Sequence, residues 1–457
     1  MANSMRVGGR RPTSGHSDDR GELRVFALQY RIDLSDGVSY ESFRSAMREL
    51  MDVFVAPHLV HNRPTLVVFP EAIGLIAAAI GTRGDALRQR ARTLAPPLHG
   101  EMPQALFDGL VGLGAAYLPQ LAAYSALFGA MDPRSQLFVG LTDTSVRSFS
   151  TTFSDIARDY GVYVVAGNYQ TDFRETTEPA EVAAYGDPEL NASSAFVATS
   201  ASVRNITQAW APVDSVTFGP LCHRNVIASN AKIPLTSFEL EFLGLDPGPR
   251  VGDEAIANAS PVEIEGFRVG FATSLPAFTY GYPFAAEAAT DPLADLEQSY
   301  AAAQSALGVE IMVQADANPG PWATRVANGS WQPLEWMGST WRAVADRTVR
   351  FRYNITPMMT GNLLDLPFDG QSSITARGLS GGLNAHFVGN SAHGANDLPE
   401  YLPYAGAKPE FLALAPWVVD DAPRSELEEI MLGLLPGTGS PIENSYVETA
   451  IFADLLR

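Results

Sequence analysis

The chain has 457 residues, a formal net charge of −20 and 46% hydrophobic residues. This acidity argues against nucleic acids and anionic membrane surfaces as partners, because both are bound by basic patches. The single cysteine, Cys222, excludes an intramolecular disulfide and a cysteine-based zinc site.

The first residues differ in composition from the rest of the chain. Residues 1–22 are polar and rich in Arg, Gly and Ser, without an apolar core segment. We expect a disordered tail here rather than a secretory signal, and a cytoplasmic protein. No linker divides residues 23–457, which are expected to form one large layered domain.

The predicted elements begin with a strand at residues 23–32 and a helix at 40–60, where apolar residues recur with helical period. Residues 65–70 form a continuous apolar run, as expected of a strand buried on both faces. Residues 73–150 are rich in Ala and Leu and lie between two predicted core strands, which predicts a helical insertion. Further strands are expected at 161–169, 194–203, 225–231, 267–274, 309–316, 372–377, 384–389 and 411–419.

One stretch of the insertion, residues 110–130, nearly reaches the length of a membrane span. Pro119 and Gln120 interrupt it, so we predict a buried helical hairpin and no membrane span. An interfacial or partner-binding element is the alternative.

Three short segments place charged or polar residues directly after predicted strands. VVFPEA contains Glu71, AKIPLTSFE contains Lys232 and Glu239, and GFRVGFATSLPAF contains Ser274. Lys232 is one of only two lysines among 31 basic residues. A compact ammonium can enter a narrow site that a guanidinium cannot.

These segments, in this order, resemble the nitrilase (carbon–nitrogen hydrolase) superfamily. The resemblance spans roughly residues 23–420 and includes FDGQSSI at 368–374. It implies an α/β fold, an αββα sandwich, with a helical insertion at about 73–150 and a C-terminal extension at about 420–457. It also implies a homodimer or higher homo-oligomer, with no cofactor and no metal.

The resemblance implies a role for each polar residue. Glu71 would be the general base, Lys232 the cation that stabilises the oxyanion, and Glu239 the carboxylate that holds Lys232 in place. Breaking an amide requires these functions together with a nucleophile. Taken singly, Glu71 could instead cap a helix, and Lys232 and Glu239 could be surface charges.

The nucleophile position departs from the family pattern, since Ser274 stands where the family has cysteine. Cys222 precedes Lys232 by ten residues in a Pro-rich turn and cannot replace it. A hydroxyl needs more base assistance than a thiol. Three interpretations remain open: a working serine nucleophile, an inactive binding or scaffold protein, and a cysteine-to-serine inactivated form.

The predicted function is therefore hydrolysis or acyl transfer on a small-molecule, non-peptide amide or ester through an acyl-enzyme at Ser274. The backbone N–H of Leu275 would complete the oxyanion site, and Phe278, Tyr280 and Trp322 would line the substrate pocket or belong to the core. A competing G-x-S-x-G match, GLSGG around Ser380, lacks the helix that a nucleophile elbow requires after it.

Overall fold

The structure, a computed structural model, describes residues 9–89, 103–281, 291–322, 332–378, 388, 411–419, 422 and 424–457. Its β-strands, numbered in chain order, are β1 Gly9–Arg10, β2 Ser14–His16, β3 Leu23–Arg31, β4 Thr65–Val68, β5 Tyr163–Thr176, β6 Ala195–Trp210, β7 Val226–Ala231, β8 Val262–Ile264, β9 Phe267–Phe271, β10 Ile311–Val313, β11 Asp316–Ala317, β12 Tyr353–Thr356, β13 Met358–Leu363, β14 Leu366–Phe368, β15 Ser373–Ala376, β16 Phe411–Leu414 and β17 Val447–Leu455.

The α-helices, numbered in the same way, are α1 Tyr40–Leu50, α2 Asp85–Arg88, α3 Gln104–Ala116, α4 Leu118–Phe128, α5 Gln136–Gly140, α6 Arg147–Tyr160, α7 Pro179–Tyr185, α8 Gly252–Ala259, α9 Leu296–Ala306, α10 Gln332–Ala345 and α11 Arg424–Leu434. Local chemistry fixes several of their ends. Ser39 caps α1 by accepting a hydrogen bond from the Ser42 N–H, and Gly161 ends α6 at φ 66°, where glycine is favoured.

The strands form two sheets. The first has the order β1-β17-β3-β4-β5-β6-β7, with β2 beside β17, and with β11, β13 and β14 attached through β3. The second has the order β16-β15-β12-β10-β9-β8. Strands β3, β4 and β5 run parallel, as do β9, β10 and β12.

The two sheets pack face to face. Val25, Val68 and Val165 of the first sheet share one apolar cluster with Val269 and Ile311 of the second. The neighbouring side chains of β3, including Phe26 and Leu28, point the other way, into a cluster with α1 and α6. Alternate residues are thus apolar on both faces, which explains the continuous apolar runs of these strands.

Helices cover the outer face of the second sheet as well. α8 and α9 pack against it in one cluster, and α10 and α11 build a neighbouring cluster that contains Trp322, Trp341 and Trp417. The layer order is therefore helix, sheet, sheet, helix, so the predicted αββα sandwich is confirmed.

The segment predicted to be a helical insertion, residues 73–150, is described in part. The described residues of 73–150 are helical and contain no strand, and α3 and α4 form a bent pair at 77°. Among the described helices none alone could span a membrane, and only this bent pair meets the criteria of length and composition. The predicted strand at 384–389 and the GLSGG motif at 378–382 lie outside the described residues, apart from Val388 and Gly378.

The disordered tail predicted for residues 1–22 is wrong for residues 9–22. β1 and β2 both pair in parallel with β17, and Arg11 N–H donates to the Glu448 carbonyl. The C-terminal strand β17 in turn pairs antiparallel with β3 along seven residues. Backbone hydrogen bonds to a distant strand hold this polar segment, and its composition alone gives no sign of them.

Candidate active site

The site lies where strand ends of both sheets meet. Glu71 follows β4, Lys232 directly follows β7, and Ser274 follows β9. The chain also passes between the sheets here, since β10 belongs to the second sheet and β11 to the first. The ends of neighbouring parallel strands are where α/β folds usually bind ligands.

Lys232 forms two ion pairs in the interior of the protein. Its Nζ lies 2.7 Å from Glu71 Oε1 and 2.8 Å from Glu239 Oε2. Lys232 is 3% exposed and each glutamate 2%. These side chains are therefore neither surface charges nor strand-end residues in solvent.

Asn205, on β6, joins the two glutamates. Its Nδ2 donates to Glu71 Oε1 and to Glu239 Oε1, each at 2.7 Å. The backbone N–H of Ala317 donates to the second oxygen of Glu71 at 3.1 Å. Glu71 thus accepts three hydrogen bonds, as a buried carboxylate must to offset its loss of water.

Hydrogen bonds at the start of the short helix Phe238–Phe242 also hold the Glu239 side chain in place. Thr236 N–H donates to Glu239 Oε2 at 2.9 Å, and Glu239 N–H donates to Thr236 Oγ1 at 3.3 Å. This reciprocal pair is a capping box, which the sequence T-S-F-E at 236–239 predicts.

Glu71 is not a capping residue. Ala72 occupies the N-cap of the following short helix, Ile73–Ala79, and no side chain caps that helix.

The buried charges shift one another's pKa values. Burial raises the pKa of Glu71, and the Lys232 ammonium only partly offsets this. Burial opposes ionisation of Glu239 too, but Lys232 and the hydrogen bonds hold the Glu239 pKa below its usual value. Burial would lower the pKa of Lys232, yet both glutamates raise it, so the lysine remains an ammonium.

Ser274 has an unusual backbone, with φ 59° and ψ −119°. Positive φ is strained for a residue with a Cβ, and such strain concentrates at functional sites. Leu275 follows as the first residue of a short helix, Leu275–Phe278, and N–H groups in a first helical turn have no acceptor within the helix. Ser274 is 3% exposed.

Ser274 adjoins the charged cluster through its backbone and its neighbours. Its N–H lies close enough to the Asp316 carboxyl to lower the Asp316 pKa, which also responds to Glu71 and Lys232. Thr273 Oγ1 lies 2.8 Å from Thr207 Oγ1, two residues along β6 from Asn205. The Asp316 carboxyl thus interacts with Ser274, Glu71 and Lys232.

Solved structures with similar folds include a carbon–nitrogen hydrolase from Helicobacter pylori G27 (12% identity, 78% of this chain and 82% of that chain covered, TM-score 0.41). An amidase from Nesterenkonia sp. matches at 13% identity, with 80% and 86% covered and a TM-score of 0.40. A cysteine-to-serine mutant of the Nesterenkonia AN1 amidase, from the nitrilase superfamily, matches at 12%, with 78% and 84% covered and a TM-score of 0.39.

No protein-family model matches the sequence. No curated protein matches it either.

The predicted aromatic residues divide between two clusters. Phe278 packs edge-to-face on Trp336 at 5.2 Å, and Tyr280 is buried beneath the Arg342 guanidinium, 3.9 Å from its ring centroid. Trp322 belongs to the cluster of α10 and α11, and its backbone N–H donates to Asp369 Oδ2 at 2.8 Å. Tyr280 and Trp322 are buried in the core and Phe278 packs half-buried against it, and the role of all three in a substrate pocket stays a prediction.

Cys222 is buried, and burial raises the pKa of its thiol to about 12. Such a thiol is almost entirely protonated at neutral pH and is a poor nucleophile. This agrees with its exclusion as a replacement for the family cysteine.

Sequence reasoning missed two side chains of the site, Asn205 and Asp316. Asn205 lies within a long strand, and Asp316 stands at the end of an apolar run. A polar residue in a buried strand is itself a signal, because it needs a partner. The partners could not be named without the pairing of the strands.

Proposed function

We propose that this protein is an acyl-transferring hydrolase of small amides or esters, with Ser274 as nucleophile and Glu71 as general base. The observation that carries the proposal is the buried Lys232 ammonium between Glu71 and Glu239. A lysine held between two carboxylates away from water is expensive to bury, and it supplies a fixed positive charge for a developing oxyanion.

We propose a separate chemical role for each side chain of the site. Glu71 has a pKa raised by burial, which improves its affinity for the Ser274 hydroxyl proton. Lys232 and the Leu275 N–H would stabilise the negative oxygen of the tetrahedral intermediate. Glu239 and Asn205 position Lys232 and Glu71 and are not expected to contact the substrate.

The strained backbone at Ser274 favours a working site over an inactive scaffold. Strain of about 1–3 kcal/mol at one residue is retained where the surrounding structure holds it for a purpose. A binding protein without catalysis remains the second candidate, and the absence of the family cysteine is the observation that favours it. A homodimer follows from the family resemblance and is likewise a proposal.

The test is intact-protein mass spectrometry after incubation with a panel of p-nitrophenyl esters and N-butylamides of acetic, octanoic and benzoic acids. We expect an acyl adduct that maps to Ser274 and disappears in Ser274→Ala. Ser260→Ala serves as a matched control, because Ser260 is an exposed serine outside the site.

An adduct that persists in Ser274→Ala, or a panel that gives no adduct and no turnover, would contradict the proposal. Activity that appears only in Ser274→Cys would identify a site inactivated by loss of cysteine. That outcome would favour the inactive-scaffold candidate.

A further inference from the structure

A third carboxyl group, Asp316, interacts with Glu71 and Lys232 of the site. It is fully buried and begins β11, which pairs with β13 opposite Met358. The next residue, Ala317, donates its N–H to Glu71. The short strand therefore connects Asp316 rigidly to the proposed general base.

The two oxygens of Asp316 differ in their surroundings. Oδ2 accepts a hydrogen bond from Gln314 Nε2 at 3.1 Å. The orientation of Gln314 is fixed, because its Oε1 accepts from Asn354 Nδ2 and its Nε2 also donates to Ser339 Oγ. Within the part of the chain that the structure describes, no hydrogen bond reaches Oδ1, and the Ser274 N–H is the nearby backbone donor that lowers the pKa of this carboxyl.

The charge balance of the site requires a proton. Glu71, Glu239 and Asp316 could supply three negative charges, whereas Lys232 supplies one positive charge. Lys232 pairs with both glutamates, at 2.7 Å to Glu71 and 2.8 Å to Glu239, and among the described residues it forms no ion pair with Asp316. Burial, followed by the Glu71 charge, raises the pKa of Asp316 well above its ordinary value, and Gln314, Lys232 and the Ser274 N–H oppose this only in part.

Among the described residues, Tyr169 of β5 is a further titratable group that interacts with the cluster. Burial and the charges of Glu71 and Glu239 raise its pKa, so it stays neutral as well. Asp316 is then the group that holds the extra proton. A neutral carboxylic acid with one oxygen unpartnered can donate that proton to a bound molecule.

We propose that Asp316 is a fourth catalytic side chain of this site, a carboxylic acid that protonates the leaving group while Glu71 serves the nucleophile. The proposal rests on the function proposed above. Two carboxyl groups whose environments separate their proton affinities can divide acid and base roles in this way.

The proton balance closes over one turnover. Ser274 Oγ bonds to the carbonyl carbon as its proton passes to Glu71. The bond from carbon to the leaving nitrogen or oxygen breaks, and that atom takes the proton of Asp316. Water then attacks the acyl-enzyme and gives its proton to the Asp316 carboxylate, while Ser274 Oγ leaves and recovers its proton from Glu71.

The test compares Asp316→Asn on N-butylamides and p-nitrophenyl esters of the same acids. A p-nitrophenolate leaves without being protonated, whereas an alkylamine does not. We expect Asp316→Asn to lower kcat/KM, which reports the acylation step alone, by about 10²–10⁴-fold for the amides and by less than about 10-fold for the esters. Glu71→Gln, the control, is expected to lower both.

The wild-type pH profile provides an independent measurement that needs no variant. For the amides, kcat/KM should fall at alkaline pH as Asp316 ionises, and kcat/KM for the esters should not show this limb. Equal losses on both substrates in Asp316→Asn, or an identical alkaline limb for both, would overturn the role of Asp316. Failure of the Ser274 adduct itself would instead overturn the proposed function, so the two failures are distinguishable.

Discussion

The two sheets contribute differently to the site. The first sheet carries Glu71 and Lys232, whose charges are paired and hydrogen-bonded, with Glu239 completing the cluster. The second sheet leads into Ser274, with its strained backbone, and from β10 the chain crosses to Asp316 in β11 of the first sheet, whose Oδ1 receives no hydrogen bond from the described residues. The comparison teaches that the first sheet holds paired, hydrogen-bonded charges, which form an electrostatic frame, whereas the proposed nucleophile comes from the second.

The largest expected effect comes from breaking the frame at Lys232. In Lys232→Met, two buried carboxylates lose their cation, so we expect unfolding free energy to fall by about 3–5 kcal/mol. Amide turnover should fall by about 10²–10³-fold or more, because the oxyanion loses its positive charge. Urea denaturation and steady-state kinetics measure the two effects.

The matched control for Lys232 is an exposed cation, Arg20, which pairs with Asp18 at 2.9 Å on the surface. Arg20→Met should leave turnover unchanged and move the denaturation midpoint little, because solvent screens such pairs. If both variants behaved alike, the electrostatic frame would have no special role.

Asp369 sharpens the comparison, because it is a buried carboxyl that forms no ion pair with the described residues. Burial raises its pKa to about 7, although the Trp322 N–H opposes this. Folding therefore takes up a proton between about pH 4 and 7, and stability from this group is lost as the pH rises through that window. Relative to wild type, Asp369→Asn should be more stable at pH 8 than at pH 5 by about 2 kcal/mol.

Asp454 is the control for the direction of this pH dependence, because its pKa is shifted the opposite way. Burial opposes its ionisation, but its pairing with Arg24 lowers its pKa. Its contribution to stability is present above the ordinary Asp pKa and is lost only at acid pH, so Asp454→Asn should destabilise at both pH 5 and pH 8. Denaturation midpoints for both variants at the two pH values test this, and a gain for Asp454→Asn at pH 8 would contradict it.

The smallest expected effect concerns the strain at Ser274. Glycine adopts positive φ without a Cβ clash, so Ser274→Gly should raise unfolding free energy by about 1 kcal/mol, while Ser274→Ala should not. Urea midpoints compare the two variants, both of which lack the hydroxyl. A glycine variant less stable than the alanine variant would show that the backbone is unstrained.

The sequence predicted what depends on local pattern. Strands β3, β4 and β5 are visible because they are apolar on both faces, and Glu71 and Lys232 are visible because they follow such runs. The capping box at Thr236 and Glu239 could also have been predicted, because the sequence T-S-F-E fits its pattern. Each of these features is determined by residues a few positions apart.

What could not be predicted depends on contacts between distant segments. Asn205 becomes a site residue because β6 passes beside both glutamates, and Asp316 because the chain crosses between sheets at that point. The pairing of residues 9–22 with β17 is of the same kind. No local periodicity reveals which strand edges will meet.

The position of β17 has a consequence for biosynthesis. Arg24 of β3 and Asp454 of β17 form a buried ion pair although 430 residues separate them. During synthesis, one edge of β3 stays unpaired until β17 leaves the ribosome, and open edges favour aggregation. A chain that stops short of Val447 would expose this edge permanently, so premature termination there should yield insoluble protein rather than a shortened, folded one.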